Sequence, residues 1–233
     1  MKYENQDDMN LTWGKITAFT ENNAKDFSDK KTWNYAWGHD LSSESIAEYA
    51  NTFRQNLTWD EKLLLERLKT EGIIEEKWEK YIWVANKAAL AMFYPTGEKV
   101  QLNGRVVDGD KIRSQIKGWL DHELAHWLYF TNPEFKKVTD DIWQSLDPKT
   151  RKEISEVLGK NYKNSKFHAT EFLSYVLFTE GKSEINTNII PNSVSDKDAY
   201  LKNLRSQIYS TIDAKKNLSP LVKSFFDTNW IRK

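Results

Sequence analysis

The chain has 233 residues, enough for one sizeable core, with 34 basic and 34 acidic side chains and no cysteine. Balanced charge gives neither a nucleic-acid footprint nor a polybasic membrane surface, and the lack of cysteine excludes disulfides, thiolate metal sites and cysteine nucleophiles. Any metal must be held by His, Asp or Glu.

The opening "MKYENQDDMN" lacks the basic-then-apolar pattern of a signal peptide, and "AALAMFYP", the most apolar stretch, is too short to span a bilayer. The chain therefore reads as soluble: cytoplasmic as it stands, or secreted or injected if it is a mature form. The first forty residues, including "KKTWNYAWGHD", read as irregular or short-strand structure anchored by Trp33, Trp37 and His39. Trp33, Tyr35 and Trp37 suit core packing better than a groove. From Ser42 the period becomes helical, with Ile46, Tyr49, Ala50 and Phe53 on one face. A second helix opens with Thr58 and Glu61 in capping-box spacing and stops at Gly72. "EEKWEKYIWVANKAALAMFYP" is expected to continue as a third helix to Pro95, and "KVQLNGRVV" to form a hairpin around Asn103-Gly104. A long helix should follow from Lys111 to Phe130, ended by Asn132-Pro133. Helices are then expected in "PEFKKVTDDIWQSL", "PKTRKEISEVLGK" and "FHATEFLSYVLFTEG", and near Lys197 to Lys215 and Pro220 to Trp230.

The long helix carries the most specific signal. His122-Glu123-Leu124-Ala125-His126 has the spacing H-E-x-x-H. Residues four apart lie about 40° apart around a helix, so both imidazoles can reach one ion, while Glu123, about 100° away, can reach a water without being a ligand. Ile116, Leu120, Leu124, Trp127 and Leu128 lie opposite the histidines, and Trp119, Tyr129 and Phe130 flank them, so the helix should be buried nearly all round. Buried imidazoles and a buried carboxylate need partners, and a divalent cation would satisfy them.

A hydrolytic zinc site needs a third protein ligand and an open position. Tyr129 and Asn132 stand where an extended H-E-x-x-H-x-x-G-x-x-H pattern needs Gly and His, which excludes that class. In "KFHATEFLSYVLF", His168, Glu171 and Tyr175 form one helical stripe among apolar residues. Glu171 is the better third ligand, being acidic in the middle of an apolar helix; His168 as ligand, or a core glutamate paired to a base, are the alternatives.

His122, Glu123 and His126 followed by a glutamate on a later helix resemble the gluzincin metallopeptidases. The interval to Glu171 and the "TEFLSY" around it are similar to those of the anthrax lethal factor catalytic domain and the clostridial Pro-Pro endopeptidases. The resemblance covers His122 to Glu180 and leaves the first hundred residues unmatched. In those families a tyrosine shortly before the third ligand supports the tetrahedral intermediate; the equivalent position here is Asn164, and the nearest upstream tyrosine is Tyr162. Tyr162, His168 and Tyr175 are therefore the candidates for that role.

The resulting expectation is an α+β, predominantly helical chain with a small β element and a zincin-like metallopeptidase fold. It would form a single catalytic domain over residues 1–233, with an N-terminal lobe over 1–130 that includes the motif helix and a helical C-terminal lobe over 131–233. The expected function is a zinc (Zn2+)-dependent metalloendopeptidase acting on a protein or peptide substrate, with no nucleic acid and no membrane span. Metal ligands would be His122, His126 and Glu171, with Glu123 as general base and "KVQLNGRVV" a candidate substrate-binding edge. A catalytically silent helical accessory protein with a structural metal site, or a zinc hydrolase of a non-peptide amide, are the rival readings.

Overall fold

The computed structural model describes all residues except 4–5, 28–37, 95, 103–104, 179–188, 192, 216 and 229–233. It is mostly helical with a small sheet, as an α+β reading requires. The chain divides into two compact units, Met1–Glu123 and Leu124–Lys233. This division falls inside a helix, short of the lobe boundary expected after residue 130.

In the first unit, β1 (Lys2–Tyr3), β5 (Ala88–Phe93) and β2 (Gly38–Ser42) form a sheet in the order β1-β5-β2, with β1 parallel and β2 antiparallel to β5. Against it lies α1 (Gln6–Asn22), a 17-residue helix where irregular or short-strand structure was expected. The apolar period is hard to see because the buried face mixes Met9, Trp13 and Ile16 with Gln6, Asn10, Thr17 and Thr20. Two of those polar residues have a partner far along the chain. His39 on β2 is buried, with Nδ1 2.9 Å from Thr17 Oγ1 and Nε2 2.8 Å from Asn10 Oδ1. His39 is thus the anchor expected of it, while Trp33, Tyr35 and Trp37 lie outside the described residues.

The helices α2 (Ser43–Thr52) and α3 (Trp59–Thr70) follow, separated by a 3-10 turn at Arg54–Asn56. Ile46, Tyr49 and Ala50 are buried and Phe53 is half-buried. The Thr58–Glu61 capping box is present, and Gly72 takes a φ of 68° just past the helix end, a conformation that glycine adopts without a Cβ penalty.

The helix expected over residues 75–95 is instead three strands: β3 (Ile74–Lys77), β4 (Lys80–Trp83) and β5. Trp78 and Glu79, with φ of 53° and 59°, form the two-residue turn that lets β3 and β4 pair, although neither is a residue suited to positive φ. In "AALAMF" the helix-favouring Ala and Leu content is overruled by pairing on both edges of β5, and its residues Ala88, Ala89, Ala91 and Met92 are buried. The hairpin expected in "KVQLNGRVV" is formed by β6 (Lys99–Leu102) and β7 (Arg105–Asp108), paired from Leu102–Arg105 outward.

From Gly109 to Thr131 runs α4, the motif helix, which crosses from the first unit into the second. The second unit then holds α5 (Pro133–Ser145), α6 (Pro148–Leu158), α7 (His168–Phe178), α8 (Lys197–Asp213) and α9 (Pro220–Thr228). Asn132 and Asp147 cap α5 and α6, each followed by Pro at the first helical position, where a missing N–H costs nothing. Helix α7 packs against α5, α6 and α8. Every residue from His168 to Leu177 is buried, so α7 is the central helix of this unit. Each unit has its own apolar core, one built on Trp13, Ile46, Leu65 and Ile116, the other on Phe135, Ile154, Phe172 and Ile208.

Candidate metal centre

Helix α4 turns the polar residues of its motif inward. His122, Glu123 and His126 are buried, whereas Leu120 and Trp127 are 37% and 36% exposed. The expectation of a helix buried nearly all round is corrected: its outer stripe carries Leu120 and Trp127, and the histidines occupy the middle of the buried face beside Ala125 and Tyr129. Burying three ionisable side chains while leaving a Leu and a Trp half in water reverses the usual ordering of transfer free energies. Such an arrangement persists only where the polar groups are satisfied by one another or by a ligand.

Glu171 is buried on α7, in its first turn. His122, His126 and Glu171 each offer one ligand atom, and these atoms lie within 4.8 Å of one another; among the described residues no other His, Asp and Glu group of this kind occurs. His126 Nε2 is 3.5 Å from Glu171 Oε1. A tetrahedral ion with ligands about 2.0–2.1 Å away would set its ligand atoms about 3.4 Å apart, so this edge needs almost no adjustment. The other nitrogen of His126, Nδ1, lies 2.8 Å from Thr170 Oγ1. An Nδ1–H donated to that hydroxyl leaves the Nε2 lone pair directed at the carboxylate side, the tautomer a ligating histidine needs. Trp119 meets the His122 ring edge-on, with centroids 5.9 Å apart. The residues present thus fit a divalent ion held by two imidazoles and a carboxylate.

Glu123 points elsewhere, toward β2. Its carboxyl group is hydrogen-bonded to the Asp40 side chain. A Cβ added to Gly38 would stand 2.9 and 3.0 Å from Glu123 Cγ and Cδ and 2.5 Å from Met92 Sδ, so the Glu123 side chain occupies space that only glycine leaves. Burial pushes the Asp40 carboxyl up to about 6, against a smaller lowering by its bond to Glu123.

Of the expected oxyanion donors, Tyr162 and Tyr175 come together, their hydroxyls 2.8 Å apart, with Tyr175 one turn beyond Glu171 on α7. His168 does not join them. Its Nδ1 is 2.7 Å from Ser155 Oγ and its Nε2 2.9 Å from the Tyr162 carbonyl oxygen, so the ring ties α6 to the loop that carries Tyr162. Nor does His168 enter the group of candidate ligands, which contains Glu171 in its place. Gly38, Asp40 and Thr170 were missed by sequence reasoning. Thr170 adjoins Glu171 and could have been suspected as a second partner for a histidine; Gly38 and Asp40 carry no local signal.

Comparison with protein-family models, with curated proteins and with solved structures gave no match to this chain. No helix among the described residues is long and apolar enough to cross a membrane.

Proposed function

We propose that the protein is a zinc-dependent metallopeptidase of gluzincin type, hydrolysing peptide bonds in a protein or peptide substrate. The observation that carries this reading is a buried His122, His126 and Glu171 group with a further buried carboxylate, Glu123, on the same helix but turned away toward β2. A site that only held a metal for stability has no use for that fourth group.

Bound zinc would supply Lewis-acid chemistry, polarising a carbonyl and making a water acidic enough to attack at neutral pH. His122, His126 and Glu171 would hold it, and Thr170 would fix the ring orientation of His126. Glu123, outside the ligand set and on the β2 side of the helix, would take the proton of the attacking water and pass it to the leaving amine. The paired phenols of Tyr162 and Tyr175 are the donors available for a developing oxyanion; His168, with both nitrogens engaged, positions the Tyr162 loop. Strand β2, an edge of its sheet beside Glu123, joins the β6–β7 hairpin as a strand on which an extended peptide would dock.

Metal analysis and a peptide-library cleavage assay test this reading together. Purified protein should carry a single zinc, lost in His126→Ala; Glu123→Gln should keep the zinc and lower turnover by about 10²-fold or more. A zinc-loaded wild-type protein that cleaves neither peptides nor simple amides would be an accessory protein with a structural metal. A natively stable protein that refuses zinc would end the metallopeptidase reading.

A further inference from the structure

His168 takes no part in the candidate metal centre and turns instead toward α6, where Ser155 Oγ lies 2.7 Å from its Nδ1. Its other nitrogen, Nε2, is 2.9 Å from the Tyr162 carbonyl oxygen. A carbonyl oxygen only accepts, so in the neutral ring Nε2 carries the proton and Nδ1 holds the lone pair. The Ser155 hydroxyl therefore donates to Nδ1, and a backbone group fixes the ring in that tautomer. A hydroxyl that donates to an imidazole oriented by a third group is the arrangement of an activated serine.

The pair opens on a cleft. Ser155 and His168 line a cavity of about 660 Å³ in the second unit, within the size range of small-molecule sites. One wall is Trp143 of α5, which packs on Phe172 with ring centroids 5.4 Å apart. Among the described lining residues, Arg151 and Lys152 of α6 face one acid, Glu156, so positive charge is in excess. Lys152 and Glu156 approach only to 3.9 Å and are both largely in water, a pair that neutralises little. Arg151 is anchored by Gln144, its Nη1 donating to the carbonyl oxygen at 3.2 Å and to Oε1 at 2.6 Å.

We infer that Ser155 is a nucleophile for small carboxylic esters that carry an anionic group, with His168 as its general base. Ser155 Oγ attacks the ester carbonyl carbon while its proton passes to His168 Nδ1. The C–O bond to the leaving alcohol then breaks, and the alkoxide takes the proton from Nδ1. Water attacks the acyl-serine with the same base, releasing the carboxylic acid and restoring the hydroxyl. Trp143 offers the apolar surface of the cleft, and Arg151 and Lys152 attract the anionic group. No step passes through His122, Glu123, His126 or Glu171, so the inference stands or falls apart from the metallopeptidase reading.

The test uses the zinc-loaded full chain, as wild type and as E123Q, in which turnover at the metal centre is suppressed. Diisopropyl fluorophosphate should modify Ser155 alone: the Oγ–P bond forms, the P–F bond breaks, and fluoride leaves as His168 takes the proton. Peptide mapping by mass spectrometry locates the adduct in the wild-type chain, so this result does not depend on a variant folding. No adduct, or one on another residue, overturns the inference. The E123Q protein should hydrolyse 4-nitrophenyl hydrogen succinate faster than the neutral 4-nitrophenyl butyrate. Adding S155A should lower that rate by about 10²-fold or more. Undiminished hydrolysis by a natively folded S155A protein places the activity elsewhere and overturns the inference too. R151Q combined with K152Q should abolish the preference for the anionic ester; an E123Q protein that shows no such preference overturns the assignment of an anionic substrate.

Discussion

His39 shows how much a single buried side chain commits the fold to a protonation state. Its two nitrogens are taken by Thr17 and Asn10, and burial lowers its pKa to about 3. In the unfolded chain the same ring titrates near its ordinary value of about 6.5. Between those values the unfolded chain binds the proton and the folded one does not, so stability rises with pH across the window and is lost as pH falls from about 6.5 toward 3, by about 1.4 kcal/mol per pH unit. Asp40, next in sequence, acts in the opposite sense: its folded pKa is raised, so its contribution is fully present below the ordinary carboxyl range and is lost as pH rises through about 6. Urea unfolding of wild type and His39→Gln from pH 7 to pH 4 separates the two. The variant should be less stable at pH 7 yet show a shallower loss on acidification; parallel curves would mean that the ring is not kept neutral by folding.

Among the elements, the β3–β4 hairpin is built against the preferences of its turn. Trp78 and Glu79 both take positive φ, and Trp78 is 95% exposed, so neither strain nor exposure is recovered by packing. A left-handed conformation costs a residue with a Cβ about 1–2 kcal/mol, and Asn-Gly is the dipeptide suited to this turn. The double substitution Trp78→Asn and Glu79→Gly should therefore raise stability by about 1 kcal/mol, seen as an increase in Tm with an unchanged circular dichroism spectrum. A lower Tm would show that the exposed indole stabilises the hairpin in a way that its accessibility does not reveal. Helix α4 offers the opposite case. Its composition favours complete burial, yet Leu120 and Trp127 remain partly in water because the buried face is given to His122, Glu123 and His126.

For the protein as a body, the two apolar cores are separate sets of residues, and α4 is the element common to both units. An ion that binds His122, His126 and Glu171 binds the folded chain and not the unfolded one, because the ligands come from α4 and α7 and are far apart in sequence. Zinc should then raise Tm in a concentration-dependent way, by about 2.7 kcal/mol of stability at a hundredfold excess over Kd. Chelator should reverse the shift, and Glu171→Ala should weaken it strongly. A Tm indifferent to zinc in wild type, measured by scanning calorimetry, would argue that the three side chains satisfy one another without a metal.

The motif helix, its two histidines and Glu123, the capping box at Thr58–Glu61, and the helices of the second unit are all legible in the sequence. Each depends on spacings of three or four residues that one helical turn imposes. Glu171 is legible too, as an acid among Phe167, Phe172, Leu173 and Val176, because an apolar helix makes a charge conspicuous. Strand β5 is not, since "AALAMF" suits either state and becomes a strand only by pairing with segments at residues 2–3 and 38–42. Nor is α1, whose buried polar residues make sense only once His39 lies against them. The same holds for the surroundings of Glu123. Gly38 and Asp40 meet it from more than eighty positions away, and no local periodicity encodes a contact that forms only when a strand edge and a helix face are packed together.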